Sequence, residues 1–318
     1  MVIDGKKIAS EIITKLKTQP IPQKILAAVL VGENPASISF LKQKERVAKE
    51  LGVDFRIYRF PEEIKNDDLR KEVGKIALLK PVGGVIVQLP LPIHLNRHYI
   101  LNVIPREKDV DVLGERALGA FYAGRNPVLP PAVGTVIEIL REPAALFEKN
   151  VSEAEQSRCL SEAKASEAER SSGVRHAGAD NHVFSKIKPL AIAVIGLGFL
   201  VGKPIATWLI GKCPEIYLLG RGSDLKILKQ ADLIISGVGQ AGIIKPEMLK
   251  ENAGVIDFGY SIENGSGIMN NELRIKIRGD LDVSDIHNSG FYTPTPGGTG
   301  PILVTKIFEN FYRLLNKE

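Results

Sequence analysis

Two hydrophobic periods alternate along the chain, and the switches between them mark its elements. Over 4–17 the apolar positions Ile8, Ile12, Ile13 and Leu16 recur at helical spacing. "KILAAVLVG" (24–32) is a short continuous apolar run closed by Gly32, which predicts a buried strand. Residues 37–52 return to the helical period. Phe40, Leu41, Val47, Ala48 and Leu51 form its stripe, Ser37 can cap its start and Gly52 ends it. A strand over 53–60, a helix over 67–79 and a strand over 84–88 follow. Strand and helix in alternation predict βαβ units and a parallel sheet.

After a polar, turn-rich stretch the pattern predicts a helix over 132–142. Its character then changes. Residues 150–182 hold three SEA triplets, no aromatic residue, and only Val151, Leu160 and Val174 as sizeable aliphatics. Such a segment buries too little apolar area to offset its ordering entropy. It reads as an insertion packed in neither core, carrying at most a solvated helix over 152–170. Its His176 and His182 stand in a segment without apolar support and with no thiol beside them, so a solvated loop is favoured over a metal site. Order returns at 189 with strand, glycine turn and helix, then strands over 215–220, 231–239 and 253–259, each ending in glycine. "FYTPTPGGTGP" (291–301) reads as a rigid loop and 301–315 as a closing helix. The fold class expected is α/β with two domains, the second a doubly wound Rossmann type. The boundaries are 1–143 for the first domain, 144–187 for the insertion or linker and 188–299 for the Rossmann domain. Residues 300–318 form a C-terminal helix packing back towards the first domain.

Composition changes this picture little. The 318 residues are 44% hydrophobic and 25% charged, an ordinary globular balance. The net charge, 42 − 37 = +5, comes without a long basic run, which argues against a nucleic-acid partner. Two cysteines, Cys159 and Cys213, with no CxxC, argue against a disulfide framework and a zinc site. The charged N-terminus is unlike a signal peptide, and no run of about 18 apolar residues predicts a membrane span. A cytoplasmic protein is expected.

The chemistry begins at "GGVIVQLPLP" (83–92). The strand ends in Gln88, followed by Pro90 and Pro92, which fix φ and end the ladder. Open α/β sheets bind ligands at the carboxyl ends of their strands, so Gln88 stands where a side chain can act. The plainer reading is a strand-ending turn with a solvated amide. Gly196, Gly198 and Gly202 make a G-x-G-x-x-x-G turn between a strand and a helix. There the backbone can approach a pyrophosphate and the helix N-terminus offers N–H groups. The next strand ends at Leu219-Gly220-Arg221 with Ser223 nearby, rather than in an acidic residue. Arg221 suits a 2′-phosphate and hence NADP, with NAD the alternative; a solvated loop charge is the plainer account. Phe40 and Lys44 share a helix face, with Ser37 one turn earlier. "KDVD" (108–111) sets Asp109 and Asp111 two apart in a short loop. Taken singly, Phe40 is a core residue, Lys44 a solvated charge and the aspartates turn formers.

Taken together, "GENPASISFLKQK", "VIVQLPLP", "KDVD", "VIGLGFLVGKP", "ADLIISGVG", "VIDFG" and "YTPTPGGTGP" occur in an order that closely resembles the bifunctional methylenetetrahydrofolate dehydrogenase/methenyltetrahydrofolate cyclohydrolase family. The resemblance covers nearly everything outside 143–187. It implies that the first domain binds folate, with Lys44 as the acid/base residue, Gln88 orienting it and tuning its charge, and Asp111 holding the pterin. It further implies substrate contacts at Ser37, Phe40, Leu89, Pro90, Pro296, Gly297 and Gly298. Cofactor contacts are implied at Gly196, Leu197, Gly198, Val201, Gly202, Pro204, Arg221, Ser223, Gly237, Val238 and Gly239. The implied activity oxidises 5,10-methylenetetrahydrofolate with NADP and hydrolyses the methenyl product to 10-formyltetrahydrofolate, in a cytoplasmic homodimer with no membrane partner. Pro294 or Pro296 is a candidate for a cis peptide bond.

Three departures stand out. Phe40 replaces the family's usual tyrosine, keeping the ring without the hydroxyl. Gly196-Leu197-Gly198 replaces a G-R-S turn, removing an arginine and a serine that meet the phosphate. "LPPAVG" (129–134) replaces PCTPxG. Other readings are an enzyme with one of the two activities, a folate- or nucleotide-binding paralogue without catalysis, an interaction protein organised by the insertion, and an unrelated amino-acid dehydrogenase. Retention of Lys44, Gln88 and Asp111 argues against the non-catalytic readings, and an amino-acid dehydrogenase has no need of "QLPLP" with "KDVD".

Overall fold

A computed structural model describes residues 1–142, 180–269, 272–284, 286 and 289–316. The chain divides into two units. One comprises Lys7–Gly134 with Ile302–Glu318, the other Met1–Lys6 with Thr135–Pro301.

The unit holding Lys7–Gly134 is built on three parallel strands, β1 (Ile25–Val31), β2 (Phe55–Phe60) and β3 (Val82–Val87), in the order β2-β1-β3. Every residue of β1 is buried, as a central parallel strand covered on both faces requires. The helices in sequence are α1 (Gly5–Lys17), α2 (Pro35–Leu51) and α3 (Asn66–Leu78). Helix α2 starts two residues before its expected position, and Ser37 is not its cap. Asn34 is: its side chain accepts a hydrogen bond from the Ser37 N–H at 3.0 Å. Pro35 sits in the first turn, where its missing N–H costs nothing. Gly52, at φ +70°, closes the helix as expected.

The turn-rich stretch after β3 contains two short helices that the pattern did not reveal, α4 (Arg97–Leu101) and α5 (Glu115–Tyr122). Each spans only about one to two turns, too few for a sustained apolar stripe. Helix α6 (Pro131–Arg141) agrees with the expected 132–142.

Two glycines at the start of β3 bring the C-terminal helix α9 (Thr299–Leu315) against the sheet. A Cβ on Gly84 would lie 2.8 Å from the Phe311 ring, and one on Gly83 would lie 2.9 Å from Leu315. Phe308 of the same helix meets Phe55 of β2, with ring centroids 6.5 Å apart. Phe308 and Phe311 are wholly buried, so this helix is core to the unit.

The second unit has a parallel five-stranded sheet. Its strands are β4 (Ala191–Ile195), β5 (Glu215–Leu219), β6 (Leu233–Ser236), β7 (Gly254–Asp257) and β10 (Phe291–Tyr292). They lie in the order β10-β7-β6-β4-β5. From β4 the chain goes first to one neighbour, β5, and then across to the other, β6. The strand order therefore reverses at the carboxyl ends of β4 and β6, the switch point where doubly wound sheets bind dinucleotides. Helix α8 (Gly202–Leu209) follows β4. An antiparallel ribbon, β8 (Ser261–Met269) with β9 (Glu272–Arg278), was not foreseen; β8 is interrupted by Asn264, Gly265 and Gly267, although Leu273, Ile275 and Ile277 alternate at strand spacing along β9.

Most of the expected insertion, and with it the solvated-helix and His176 expectations, lies outside the described residues. Its end is helical: α7 (Asp180–Ile187) buries Val183 and Ile187 before the point where order was expected to return.

Candidate functional site

In the first unit, the polar residues singled out in α2, after β3 and in the 108–111 loop converge. Lys44 Nζ donates a 2.8 Å hydrogen bond to Gln88 Oε1. The Gln88 amide orientation is set by its other half, since Nε2 donates to the Leu89 carbonyl at 2.8 Å. Its carbonyl oxygen is therefore the atom left to face the lysine. The Gln88 N–H continues the ladder to Val29 O at 2.9 Å, so the side chain springs from the last paired position of the sheet. The Leu89–Pro90 peptide bond is cis, as is Thr295–Pro296 among the prolines considered from sequence.

Lys44 is 6% exposed and Gln88 7%, which corrects the plainer readings of Lys44 as a solvated charge and Gln88 as a solvated amide. Helix α2 turns Ser37, Leu41, Lys44 and Ala48 to one buried side, so the lysine shares a face with core residues. Burial lowers the Lys44 ammonium below the ordinary lysine range, and the Asp111 charge pulls it partly back. Reciprocally, burial raises the Asp111 carboxyl and the Lys44 charge opposes the rise. Ser37 Oγ is buried with no hydrogen-bond partner among the described residues, a polar atom in need of a ligand or water. Phe40 is half-buried.

The two aspartates of "KDVD" take opposite parts. Asp109 turns inward, and its Oδ2 accepts from the N–H groups of Leu113 at 3.0 Å and Gly114 at 2.7 Å. A Cβ on Gly114 would lie 3.2 Å from that oxygen, so glycine admits the carboxylate. Asp109 builds the loop, while Asp111 is the one coupled to Lys44. Between them and Leu113, Val112 is held at φ +55°, where a β-branched residue is strained. Sequence reasoning missed Asn310, on α9. Its Nδ2 donates to Val110 O and Leu129 O, both at 2.8 Å, and so fixes the peptide preceding Asp111. No spacing signal joins residues 200 positions apart.

In the second unit the glycine turn is shaped for a dinucleotide. Gly196 is at φ +81°, and a Cβ on Gly202 would lie 1.9 Å from Gly196 O. A Cβ on Gly198 would meet no atom within 4 Å, so this position faces open space. No side chain caps α8; the Lys203 N–H is taken by Gly198 O at 3.0 Å, the Ile205 N–H by Val201 O at 3.2 Å and Pro204 has none, so the Gly202 N–H is the first-turn donor left for an anion. Across the switch point, a Cβ on Gly196 would lie 2.9 Å from the Gly237 carbonyl, and one on Gly237 would lie 2.8 Å from Val201. The turns at 196–202 and 237–239 are thus in contact. Pro204 is buried in the first turn of α8. Arg221 is exposed after β5, and Ser223 Oγ accepts from Gly220 N at 3.0 Å. Asp224, the acidic residue nearest this turn, is engaged in bonding the Lys226 N–H at 2.9 Å. These features fit a dinucleotide with its adenosine ribose towards Arg221. Leu197, half-buried, supplies no polar side chain.

Pro296, Gly297 and Gly298 also belong to this second unit. Gly298 N donates to Pro294 O at 2.8 Å, and a Cβ on Gly5 would lie 1.7 Å from Gly298 O. Packing therefore accounts for Gly298, while Pro296 is exposed. Among the described residues no cluster of His, Cys, Asp and Glu could hold a metal ion, and no helix is long and apolar enough to cross a membrane.

Comparison with known proteins gives a consistent result. The family described as tetrahydrofolate dehydrogenase/cyclohydrolase matches twice, its catalytic domain over residues 3–111 and its NAD(P)-binding domain over 180–318. The bifunctional protein FolD of Listeria innocua is 28% identical over 319 residues, covering 97% of this chain and 95% of that protein. The crystal structure of the bifunctional methylenetetrahydrofolate dehydrogenase/cyclohydrolase FolD from Campylobacter jejuni is 27% identical, with a TM-score of 0.77 over 99% of this chain and 98% of the other. The Trypanosoma brucei enzyme, solved with NADP and an inhibitor, is 22% identical and shares the fold, with a TM-score of 0.79 over 99% and 97%.

The Asp109 geometry carries a stability consequence. Burial, opposed by its backbone hydrogen bonds, raises the carboxyl to about 7. Between the ordinary aspartate range near pH ~4 and about 7, the folded chain keeps a proton that the unfolded chain has lost. Stability from this group is therefore full below that window and falls as pH rises through it. Asp109→Asn retains an acceptor for the loop and removes the charge. Relative to wild type, the variant gains about 2–3 kcal/mol between pH ~5 and ~8. Urea unfolding at both pH values measures this, and parallel pH dependence in the two proteins contradicts it.

Proposed function

Because the chain belongs to the tetrahydrofolate dehydrogenase/cyclohydrolase family, we propose that it oxidises 5,10-methylenetetrahydrofolate to the 5,10-methenyl form with NADP and hydrolyses that product to 10-formyltetrahydrofolate. The observation that carries the reading is the buried Lys44–Gln88 hydrogen bond beside Asp111. A lysine held by a neutral amide in a desolvated place reaches its amine form more readily than a lysine in water.

The amine form serves both reactions. As hydride leaves the methylene carbon, positive charge spreads over N5, the carbon and N10. An uncharged Lys44 does not repel it. In the hydrolysis, Lys44 Nζ takes a proton from the water attacking the methenyl carbon, and the resulting ammonium returns a proton to N5 as the C–N5 bond breaks. The products are the 10-formyl compound and one proton. Gln88 holds Nζ in place without adding a negative charge that would retain its proton. Asp111 accepts two parallel hydrogen bonds from the amino-pyrimidinone edge of the pterin. The Phe40 ring packs on the aminobenzoyl group, and Ser37 Oγ, otherwise unpartnered among the described residues, completes the substrate contacts together with Leu89 and Pro90.

NADP supplies the hydride acceptor when bound. Gly196, Gly198 and the N-terminus of α8 receive its pyrophosphate, and Arg221 with Ser223 its 2′-phosphate. Leu197 removes one polar contact that relatives with G-R-S possess, so the preference for NADP over NAD rests chiefly on Arg221. Pro296 and Gly297 are assigned to the folate by the family resemblance. A cytoplasmic homodimer without a nucleic-acid or membrane partner completes the reading, supported by that resemblance and by the modest net charge of +5.

Lys44→Met is expected to slow methenyl hydrolysis by about 100- to 10,000-fold. Because methionine fills the site without a desolvated ammonium, the variant is expected to fold and to bind NADP normally. Retention of near-normal hydrolysis in a stopped-flow assay contradicts the role of Lys44.

For the cofactor, a charge-assisted hydrogen bond is worth roughly 1.5–3 kcal/mol. Arg221→Ala therefore weakens NADP about ten- to a hundredfold and leaves NAD nearly unchanged. Michaelis constants for both cofactors decide this. An equal effect on the two removes Arg221 from the phosphate site.

A further inference from the structure

A wholly buried carboxylate, outside every residue assigned above, sits beneath the turn after β6. Asp280 Oδ2 accepts from Ser236 Oγ at 2.7 Å and from the Val238 N–H at 2.8 Å, while Oδ1 accepts from the Gln240 N–H at 2.8 Å. The turn at 237–240 therefore directs two backbone donors inward to one side chain. Gly239, at φ +73°, lets the chain reverse between them, and its carbonyl is bonded by Ser261 Oγ at 2.8 Å.

The surroundings are built to admit this carboxylate. A Cβ on Gly259 would lie 2.3 Å from Asp280 Cγ. A second carboxylate, Asp257 at the end of β7, is admitted in the same way, for a Cβ on Gly279 would lie 2.1 Å from its Oδ2. Each aspartate thus fills the space left by the glycine beside or near the other. Asp257 bonds different groups, the N–H of Gly259 at 2.6 Å and of Leu281 at 2.9 Å. Burial raises its carboxyl to about 6, with the Asp280 charge adding to the rise. The pair lies at the carboxyl edge of the sheet, where Ser236 and Asp257 are register partners.

What Asp280 holds is the backbone against which the glycine turn rests. A Cβ on Gly196 would lie 2.9 Å from Gly237 O and 3.0 Å from Val238 N. A shift of the 237–240 turn would therefore move the wall of the cofactor cradle. We propose that Asp280 is a positioning residue for the dinucleotide, fixing the 237–240 turn through the Val238 and Gln240 N–H groups. The proposal rests on the cofactor reading above. With these N–H groups turned inward, the Val238 side chain is left exposed on the outer side of the turn.

The amide of Asp280→Asn must present its NH2 to at least one of these donors. NADP dissociation constants from calorimetry, with hydrolysis of methenyltetrahydrofolate measured without cofactor, test the role in one protein. Asp280→Asn is expected to bind NADP about tenfold or more weakly, with hydrolysis within about twofold of wild type. Asp257→Asn, which touches neither Val238 nor Gln240, is expected to keep wild-type NADP affinity. Unchanged NADP affinity in Asp280→Asn, parallel loss of binding and hydrolysis, or equal weakening by Asp257→Asn overturns the proposal. If Asp280→Asn fails to fold, Ser236→Ala removes one donor and leaves the carboxylate. It should weaken NADP about threefold, and unchanged affinity overturns the proposal. Wild-type protein that does not bind NADP overturns the cofactor reading and the proposal with it, an outcome distinct from normal binding by both wild type and variant.

Discussion

The hydrogen bond between Lys44 and Gln88 is the constraint on which the first unit is organised. A buried ammonium is costly unless something compensates it, and a neutral amide compensates less than a carboxylate would. The lysine is left with a weakened hold on its proton, opposed by Asp111. That balance requires three segments far apart in sequence to stay in register. Helix α2 turns Lys44 into the core, β3 ends at Gln88, and the loop of Asp109 presents Asp111. The close approach of α9 at Gly83 and Gly84 steadies the second of these, and Asn310 fixes the third. The C-terminal helix is thus tied to the chemistry although it contributes no reacting group.

The second unit solves a related problem with backbone rather than side chains. Its glycine turn excludes side chains at Gly196 and Gly202, where the backbone is in close contact, and has none on the open face at Gly198, as the proposed phosphate site requires. The reversal of strand order places that turn against 237–239. Asp257 and Asp280 then serve as internal acceptors for N–H groups that the loops would otherwise bury unpaired. In both units a buried aspartate builds a loop: Asp109 in one and Asp280 in the other.

Much of this was legible in the chain itself. The parallel strands other than β10, whose two residues were expected to belong to a rigid loop, announce themselves as short runs rich in apolar residues, and α2, α3, α6 and α9 as apolar stripes, because burial imposes those periods. Gln88 stood out because prolines follow a strand end. The misses have physical causes. Ser37 resembled a cap, but Asn34 and Pro35 start the helix sooner, which carries Ser37 inside. Lys44 resembled a solvated charge because helical spacing does not tell how deep a face lies. Asp109 and Asp111 were not separable as loop builder and site residue until the loop turned at Val112, whose strained φ leaves no mark in a β-branched residue. Asn310, Asp257 and Asp280 act through contacts between distant segments, and single-sequence periodicity carries no such information. The short helices α4 and α5 escaped because each spans only about one to two turns, and the β8–β9 ribbon because Asn264, Gly265 and Gly267 break the pattern ahead of the alternating Leu273, Ile275 and Ile277.

The ionisation of Lys44 itself tests the account most directly. With lysine side chains isotopically labelled and the Lys44 resonance assigned by its absence in Lys44→Met, a nuclear magnetic resonance titration follows the proton on Nζ. In wild type the midpoint should lie below the ordinary lysine value of 10.5, and in Gln88→Glu, where a carboxylate replaces the amide, it should move upward. A wild-type midpoint at the ordinary value, or no upward movement in Gln88→Glu, would contradict the claim that burial beside a neutral amide makes Lys44 a base.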